Sequence, residues 1–119
     1  MSEHTENAAL PAGPWEELLT PLCLDTPLVK AWVEKVPPGG SRPLHTHRKP
    51  WTTVVLHGAK VRSVGADGKV IREGELPDGI VLYNPADQPL CHQMFNTGDT
   101  ELVMIGIQLE FAPPAQESS

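Results

Sequence analysis

The stretch of residues 39–58 reads GGSRPLHTHRKPWTTVVLHG and contains the strongest indication of the fold. Its second half, Trp51–His57, is rich in the β-branched and aromatic residues that favour a strand, and Gly58 ends it. In the first half, one residue separates His45 from His47. An extended backbone therefore places both imidazoles on one face, with Cα atoms about 6–7 Å apart. The stretch predicts two short strands, the first carrying a histidine pair.

The rest of the chain is divided in the same way by residues that interrupt helices. Its 119 residues include 13 prolines and 10 glycines, and the proline share of about 11% is roughly twice the usual one. After Pro11, the longest segment without either residue has nine residues, 28–36, whereas an average helix has about 11–12. The composition therefore excludes a helical bundle and favours an all-β sandwich or barrel.

Eight segments between the turn residues have the composition or the alternation of strands. One of the intervening turns, at residues 65–68, contains the Asp-Gly step typical of a β-hairpin. The predicted strands cover residues 28–36, 42–48, 51–57, 60–64, 69–73, 80–84, 90–96 and 100–111.

We predict a single folded domain with two short extensions. Residues 1–20 form an N-terminal leader or arm, in which PWEELL at residues 14–19 can make one helical turn. Residues 21–111 form the β-barrel. Residues 112–119 are polar with two prolines and form a disordered tail.

Composition also excludes several functional classes. A formal net charge of −6 disfavours a nucleic-acid partner. No apolar run approaches the roughly 18–20 residues of a membrane span, and the polar, acidic residues 1–10 are unlike a signal peptide. Cys23 and Cys91 form no disulfide pattern, so we interpret them as reduced thiols of a cytoplasmic protein. No P-loop, dinucleotide fingerprint or Ser-His-Asp order is present.

His45 and His47 carry the clearest chemical signal. Two imidazoles on one strand face can converge on a metal ion, with bonds near 2.0–2.1 Å in the case of zinc. A third histidine, His92, lies in a predicted strand far along the chain. It can complete a set of three neutral nitrogen ligands that leaves coordination positions open.

The spacing around the first two histidines resembles the first motif of the cupin superfamily. That motif runs Gly, five residues, His-x-His, three or four residues, Glu, six residues, Gly. Four residues match it at the family spacing: Gly39, His45, His47 and Gly58. Trp51 stands where the family places its glutamate.

The region of the third histidine resembles the second cupin motif, which runs Gly, five residues, Pro-x-Gly, two residues, His, three residues, Asn. The matching residues are Gly79, Pro85, His92 and Asn96. Asp87 replaces the internal glycine, and two extra residues precede His92. The resemblance therefore extends from the first motif to residue 96.

This resemblance implies a jelly-roll β-barrel with a divalent metal ion inside, held by His45, His47 and His92. Fe(II) is the favoured ion, with Zn, Ni or Mn as alternatives. Three-histidine iron sites occur in the wider superfamily, notably in thiol dioxygenases. Without the glutamate, three neutral ligands leave the ion its full charge, which makes it a stronger Lewis acid.

Three residues are predicted to line a substrate pocket: Trp51, Met94 and Asn96. Trp51 would form an aromatic wall beside the metal, or alternatively a core residue that fills the space of the missing carboxylate. Alternation places Met94 and Asn96 on the same face as His92. Met94 is also suited to filling the core.

Basic residues bracket the first motif, and they would either attract an anionic substrate or protect solvated strand edges. They are Arg42, Arg48, Lys49, Lys60 and Arg62. No residue stands out as a general base, so the catalytic residues stay unassigned.

Two functions fit these residues. The first is a metal-dependent enzyme acting on a small organic metabolite, with oxygenase-type chemistry as the leading hypothesis and isomerase or lyase chemistry next. The second is a non-catalytic cupin that binds a small molecule, with no metal or a degenerate metal site. Because edge strands of small open barrels commonly pair, we also predict a homodimer.

Overall fold

The structure is a computed structural model that describes residues 21–112, and within this range the chain forms strands and no helix. The strands are β1 (Leu22–Asp25), β2 (Val29–Val36), β3 (His45–His47), β4 (Trp51–His57), β5 (Ala59–Gly65), β6 (Val70–Leu76), β7 (Val81–Asn84), β8 (Leu90–Asn96) and β9 (Leu102–Leu109). The all-β prediction is therefore confirmed. No helix in the described range is long and apolar enough to cross a membrane.

The strands are arranged in two antiparallel sheets. One has the order β1-β2-β9-β4-β7, and the other has the order β3-β8-β5-β6. The two histidine-bearing strands, β3 and β8, are neighbours in the second sheet. Strand β4, which follows β3 directly in the sequence, belongs to the first sheet.

The core lies between the sheets and draws on both of them. The fully buried side chains of Val36, Val55 and Leu102 come from the first sheet, and they cluster with Val61 and Leu76 of the second. Burying one such side chain stabilises the fold by about 1.5–3 kcal/mol. On the inner face of β4, Val55 belongs to this core. Trp51, four residues away on the same face, is buried but lies outside the core cluster.

Trp32 forms part of the inner wall because residue 106 is a glycine. A Cβ atom at Gly106, its neighbour in β9, would lie 2.5 Å from two carbons of the indole ring. Only a residue without a side chain lets the ring pack this closely on the sheet. The fully buried indole thus lies directly against the backbone of β9.

Three strands differ from the prediction. Strand β1 was not predicted, because Leu22–Asp25 is short, mostly exposed and flanked by prolines, so it shows no alternation. Strand β3 is only three residues long, since Pro43 has no N–H to donate to a ladder. Strand β6 continues through Gly74 to Leu76, three residues beyond the predicted end of this strand at residue 73.

The other predicted strands agree with the structure to within two residues at each end. The Asp-Gly turn joins β5 and β6, with Gly68 at a positive φ of 83°. Cys23 and Cys91 are both free. The predicted leader with its helical turn at residues 14–19, and the tail from residue 113 onward, lie outside the described residues.

Candidate metal centre

The three predicted ligands are brought together at the junction of β3 and β8. His45 is the direct cross-strand partner of His92, and His47 lies two residues further along β3. The ring centroids of the three pairs are 4.5 to 5.2 Å apart. Each ring offers one nitrogen, and these nitrogens lie within 4.8 Å of one another. All three side chains are buried, and nitrogens this close together are suited to sharing one ion.

Backbone hydrogen bonds hold the two motif segments in this register. The N–H of Gly39, which has a positive φ of 77°, donates to the carbonyl of Asn96, and the N–H of Asn96 donates to Gly40. The N–H of Arg42 donates to the carbonyl of Met94. The loop before β3 is therefore fixed along β8, and this contact determines which residues of the two strands face each other.

Hydrogen bonds to the rings orient two of the three histidines. His45 Nδ1 lies 2.7 Å from the carbonyl oxygen of Pro43. A carbonyl only accepts, so Nδ1 carries the proton and Nε2 keeps its lone pair for a metal ion. His92 Nδ1 lies 2.7 Å from the hydroxyl oxygen of Ser63. Such outer partners fix the ring orientation of metal-binding histidines.

His47 differs from the other two, since its Nδ1 is buried and has no hydrogen-bond partner within the described residues. An unsatisfied buried polar atom costs about 1–3 kcal/mol. A metal ion bound at this nitrogen would satisfy it. The donor set of three imidazoles, with one nitrogen unpartnered, therefore fits a divalent ion.

Trp51 lies directly against the cluster. Its ring stacks on His47 with a centroid distance of 3.7 Å and an angle of 11° between the planes. The indole is buried, and its neighbours in the sheet are Asn84 and Gln108. Trp51 thus covers one face of a candidate ligand and keeps water from it.

Burial also sets the protonation state of the cluster. It lowers the pKa of His47 well below the usual range, and the neighbouring His45 and His92 lower that pKa further. Burial, together with His45, lowers the pKa of His92 to about 3. Both rings are therefore neutral at physiological pH, and they can bind a cation without first releasing a proton.

These shifts predict acid sensitivity of the metal-free protein. In the unfolded chain both histidines bind a proton near pH 6.5, whereas the folded chain resists protonation until a much lower pH, so stability falls as the pH falls. Each histidine contributes up to about 1.4 kcal/mol per pH unit, which gives about 2–3 kcal/mol between roughly pH 5.5 and 4.5. Urea unfolding with a chelator present measures this slope.

Two variants test the assignment of the slope. His92→Gln should lose about half of it, because one of the two shifted groups is gone. His57→Gln should keep it, since His57 is exposed and lies outside the cluster. Equal slopes for both variants would contradict the prediction.

A cavity of about 540 Å³ lies between the sheets and opens onto the three histidines. Its walls are mostly apolar or aromatic, including Trp32, Trp51, Leu82, Leu90, Met94 and Met104. Cavities of this size, with apolar walls and a few polar groups, are typical of small-molecule sites.

Asn96, predicted to line the pocket, is not among the residues around this cavity. Its amide nitrogen donates to the carbonyls of Val36 and Thr100, and its amide oxygen accepts from the N–H of Gly98. Alternation gives the correct face of β8, but at this end of the strand that face points to loop backbone. Asn96 therefore connects structural segments beneath the site.

Two charged residues of the cavity wall, Glu34 and Arg72, were not predicted. Glu34 accepts a hydrogen bond from Trp32 Nε1 at 3.1 Å and lies 3.5 Å from Arg42 Nε. The sequence signal for Glu34 was its even spacing from Trp32 and Val36, which places all three side chains on the same face of β2. For Arg72 it was the position opposite Ser63 in the hairpin.

The basic residues that were singled out in the sequence have other roles. Arg42, Lys49 and Arg62 form ion pairs with Glu34, Glu110 and Glu73, respectively. None of the five predicted basic residues lines the cavity. Within residues 21–112, the structure therefore gives no support to the first interpretation, in which these residues attract an anionic substrate.

Comparison with known proteins identifies the fold. No protein-family model matches the chain, and no curated protein matches its sequence. A cupin domain from Bordetella pertussis is 22% identical and superposes with a TM-score of 0.65 over 84% of this chain and 95% of that one. A Klebsiella pneumoniae protein with a double-stranded β-helix domain is 17% identical, with a TM-score of 0.59 and 94% of both chains covered.

A polyketide cyclase from Streptomyces resistomycificus is also similar in structure. It is 22% identical, with a TM-score of 0.56 over 82% of this chain and 68% of that one. At these identities the likeness establishes the fold alone. The chain has the cupin fold, and the three histidines of its two motifs lie together between the sheets.

Proposed function

We propose that the protein holds a divalent metal ion on His45, His47 and His92 and acts on a small organic metabolite in the adjoining cavity. Fe(II) is the favoured ion, and oxygenase-type chemistry is the leading reaction class. The observation that carries the proposal is the cluster itself. Three buried rings each offer a nitrogen within 4.8 Å of the other two, and Nδ1 of His47 has no hydrogen-bond partner among residues 21–112.

When bound, the ion would supply a Lewis-acidic centre with open coordination positions that can polarise a substrate. The chain's own residues prepare the place for it. The Pro43 carbonyl and the Ser63 hydroxyl orient His45 and His92. The apolar walls exclude water, which strengthens electrostatic interactions with a bound ligand.

Trp51 is proposed to occupy the side of the site where the first cupin motif has its glutamate. Its stacking on His47 supports this, because it places the indole against a ligand ring. No protein carboxylate would then offset the charge of the ion. The absence of a fourth protein ligand would also leave more positions for substrate.

The alternative is a cupin that binds a small molecule without catalysis. Glu34 is the one carboxylate among the described residues of the cavity wall, and it is already held by Trp32 and Arg42. No carboxylate of the described cavity wall is therefore free to act as a general base. Isomerase or lyase chemistry would need such a base, which is why it ranks below oxygenase chemistry here.

Metal analysis of protein purified without a chelating tag tests the proposal. After anaerobic incubation with Fe(II) and gel filtration, we expect close to one equivalent of bound metal per chain. A content below about a tenth of an equivalent, for this and the other candidate metals, would exclude the enzyme hypothesis and leave the binding alternative. Oxygen uptake by the loaded protein with candidate metabolites then separates oxygenase chemistry from the other reaction classes.

We also propose that the protein is a homodimer in the cytoplasm. Both sheets leave edge strands in the described range, and β6 is exposed along all but its last residue. Unpaired edges of this kind favour association. Light scattering at micromolar concentration should give twice the mass of the chain, and the mass of a single chain would refute the dimer.

A further inference from the structure

The cavity contains an arginine close to the histidine cluster. Arg72 in β6 is the direct cross-strand partner of Ser63 in β5, and both residues line the cavity. Ser63 in turn binds His92. Directly opposed residues in an antiparallel pair have Cβ atoms about 4.5–5.5 Å apart. Arg72 therefore lies on the same cavity wall as the candidate metal centre, directly opposite Ser63, which is the hydrogen-bond partner of the candidate ligand His92.

Arg72 has no hydrogen bond or ion pair with any residue in the described range, unlike the other arginine of its hairpin. Arg62, on the outer face, binds the carboxylate of Glu73 through Nε at 3.1 Å and Nη2 at 2.9 Å. The hairpin thus gives a carboxylate partner to Arg62 but not to Arg72. An exposed guanidinium with no partner, at the wall of a cavity, is free to bind a ligand.

The charges around the cavity do not cancel. Apart from the three histidines, the residues of the described cavity wall that can carry a charge are Glu34 and Arg72. Glu34 forms an ion pair with Arg42, so the charge of Arg72 has no counterpart among these wall residues. A divalent ion on three neutral ligands would add two more positive charges. Although the whole chain carries a formal charge of −6, this cavity therefore favours an anion.

The side chains of the cavity wall indicate which class of anion the cavity would bind. A guanidinium binds a carboxylate through two parallel N–H···O bonds. No lysine and no second arginine lies among the described wall residues, so a doubly charged phosphate would have a single cationic side chain to hold it. The cavity wall includes the exposed side chains of Ile71 and Tyr83, and most of its other residues are apolar or aromatic. These surfaces suit a flat apolar body.

We propose that Arg72 is a substrate-binding residue that holds the carboxylate of a small aromatic acid in the cavity beside the three histidines. This inference rests on the proposed function, because it places the ligand at the candidate metal centre. It identifies the substrate class as aromatic monocarboxylates. It also identifies the residue that distinguishes these acids from uncharged analogues.

Binding of matched acids and amides tests the assignment. The probes are benzoate, cinnamate and 2-naphthoate with their primary amides, titrated by calorimetry into chelator-treated and metal-loaded protein. We expect at least one acid to bind about tenfold or more tightly than its amide. In Arg72→Gln the acid should lose that advantage while amide affinity and metal content stay unchanged. Arg72→Lys should recover part of it, since it restores charge without the fork.

Arg62→Gln is the matched control, because it removes the outward-facing arginine of the same hairpin and should leave acid binding intact. Equal binding of acids and amides, equal effects of the two Gln variants, or no acid binding at millimolar concentration would each overturn the inference. Acid binding that depends on Arg72 in a protein that retains no metal would refute the proposed enzyme and support Arg72. Full metal loading without preference for acids would do the reverse.

Discussion

His92→Ala should abolish metal retention. The substitution removes the one candidate ligand that β8 supplies and leaves the two histidines of β3. Loss of an outer-shell partner alone typically lowers metal affinity 10–100-fold, so loss of a ligand should lower it by more than about 100-fold. After anaerobic Fe(II) loading and gel filtration, we expect less than about a tenth of an equivalent of metal in the variant.

Two further variants serve as a control and as an intermediate case in this experiment. His57→Ala is the control for loss of any histidine, since His57 is exposed at the end of β4, and its Nδ1 lies against the carbonyl oxygen of Glu101. It should retain metal like the wild type. Ser63→Ala removes the partner of His92 Nδ1 and should weaken binding by an intermediate factor of about 10–100. Unchanged occupancy in His92→Ala, with an intact far-UV circular dichroism spectrum, would show that His92 is not a ligand.

Trp51→Glu should have opposite effects on the metal-free and the metal-bound protein. Loss of a buried indole costs about 3–5 kcal/mol, and the new carboxylate would be buried without a partner, so the metal-free variant should be much less stable. Metal binding would then pair that carboxylate with a cation beside His47. We therefore expect metal affinity to rise, on the order of 100-fold, which corresponds to about 2.7 kcal/mol.

Melting temperatures with and without metal measure both effects at once. Trp51→Gln is the matched control, because it removes the indole and fills the same space without a negative charge. It should lose stability like Trp51→Glu but gain no affinity. If the two variants bind metal equally well, Trp51 does not lie beside the ion, and the proposed exchange of glutamate for tryptophan is wrong.

Strand positions were predictable because prolines and glycines mark most of the turns between strands in this chain. The exceptions have local causes. Among the described strands, β1 pairs with β2 alone, and it is mostly exposed, so its four residues carry no hydrophobic alternation. A glycine at position 74 suggests the end of a strand, and Gly74 has a positive φ of 153°. The pairing of β6 with β5 nevertheless continues through this residue. In both cases tertiary pairing decides a structure that local sequence leaves open.

The site was predictable as far as spacing and alternation extend. The order of the motifs brings His45 opposite His92, and the alternation of β4 turns Trp51 inward. Alternation alone could not show that Asn96 faces loop backbone, since two residues of one strand face can have different surroundings. Glu34 and Arg72 lie on strands outside the motifs. Their position at the cavity depends on the order of strands within each sheet and on the packing of the two sheets against each other.

The hydrogen bonds that join Asn96 to Gly39 and Gly40 have a consequence for the order of events in folding. They join segments more than fifty residues apart, so the third ligand reaches the other two only after a long loop has closed. In the unfolded chain an ion finds His45 and His47 together but not His92. We therefore expect bound metal to slow unfolding far more than it speeds folding, because the complete site forms only after the barrel has assembled.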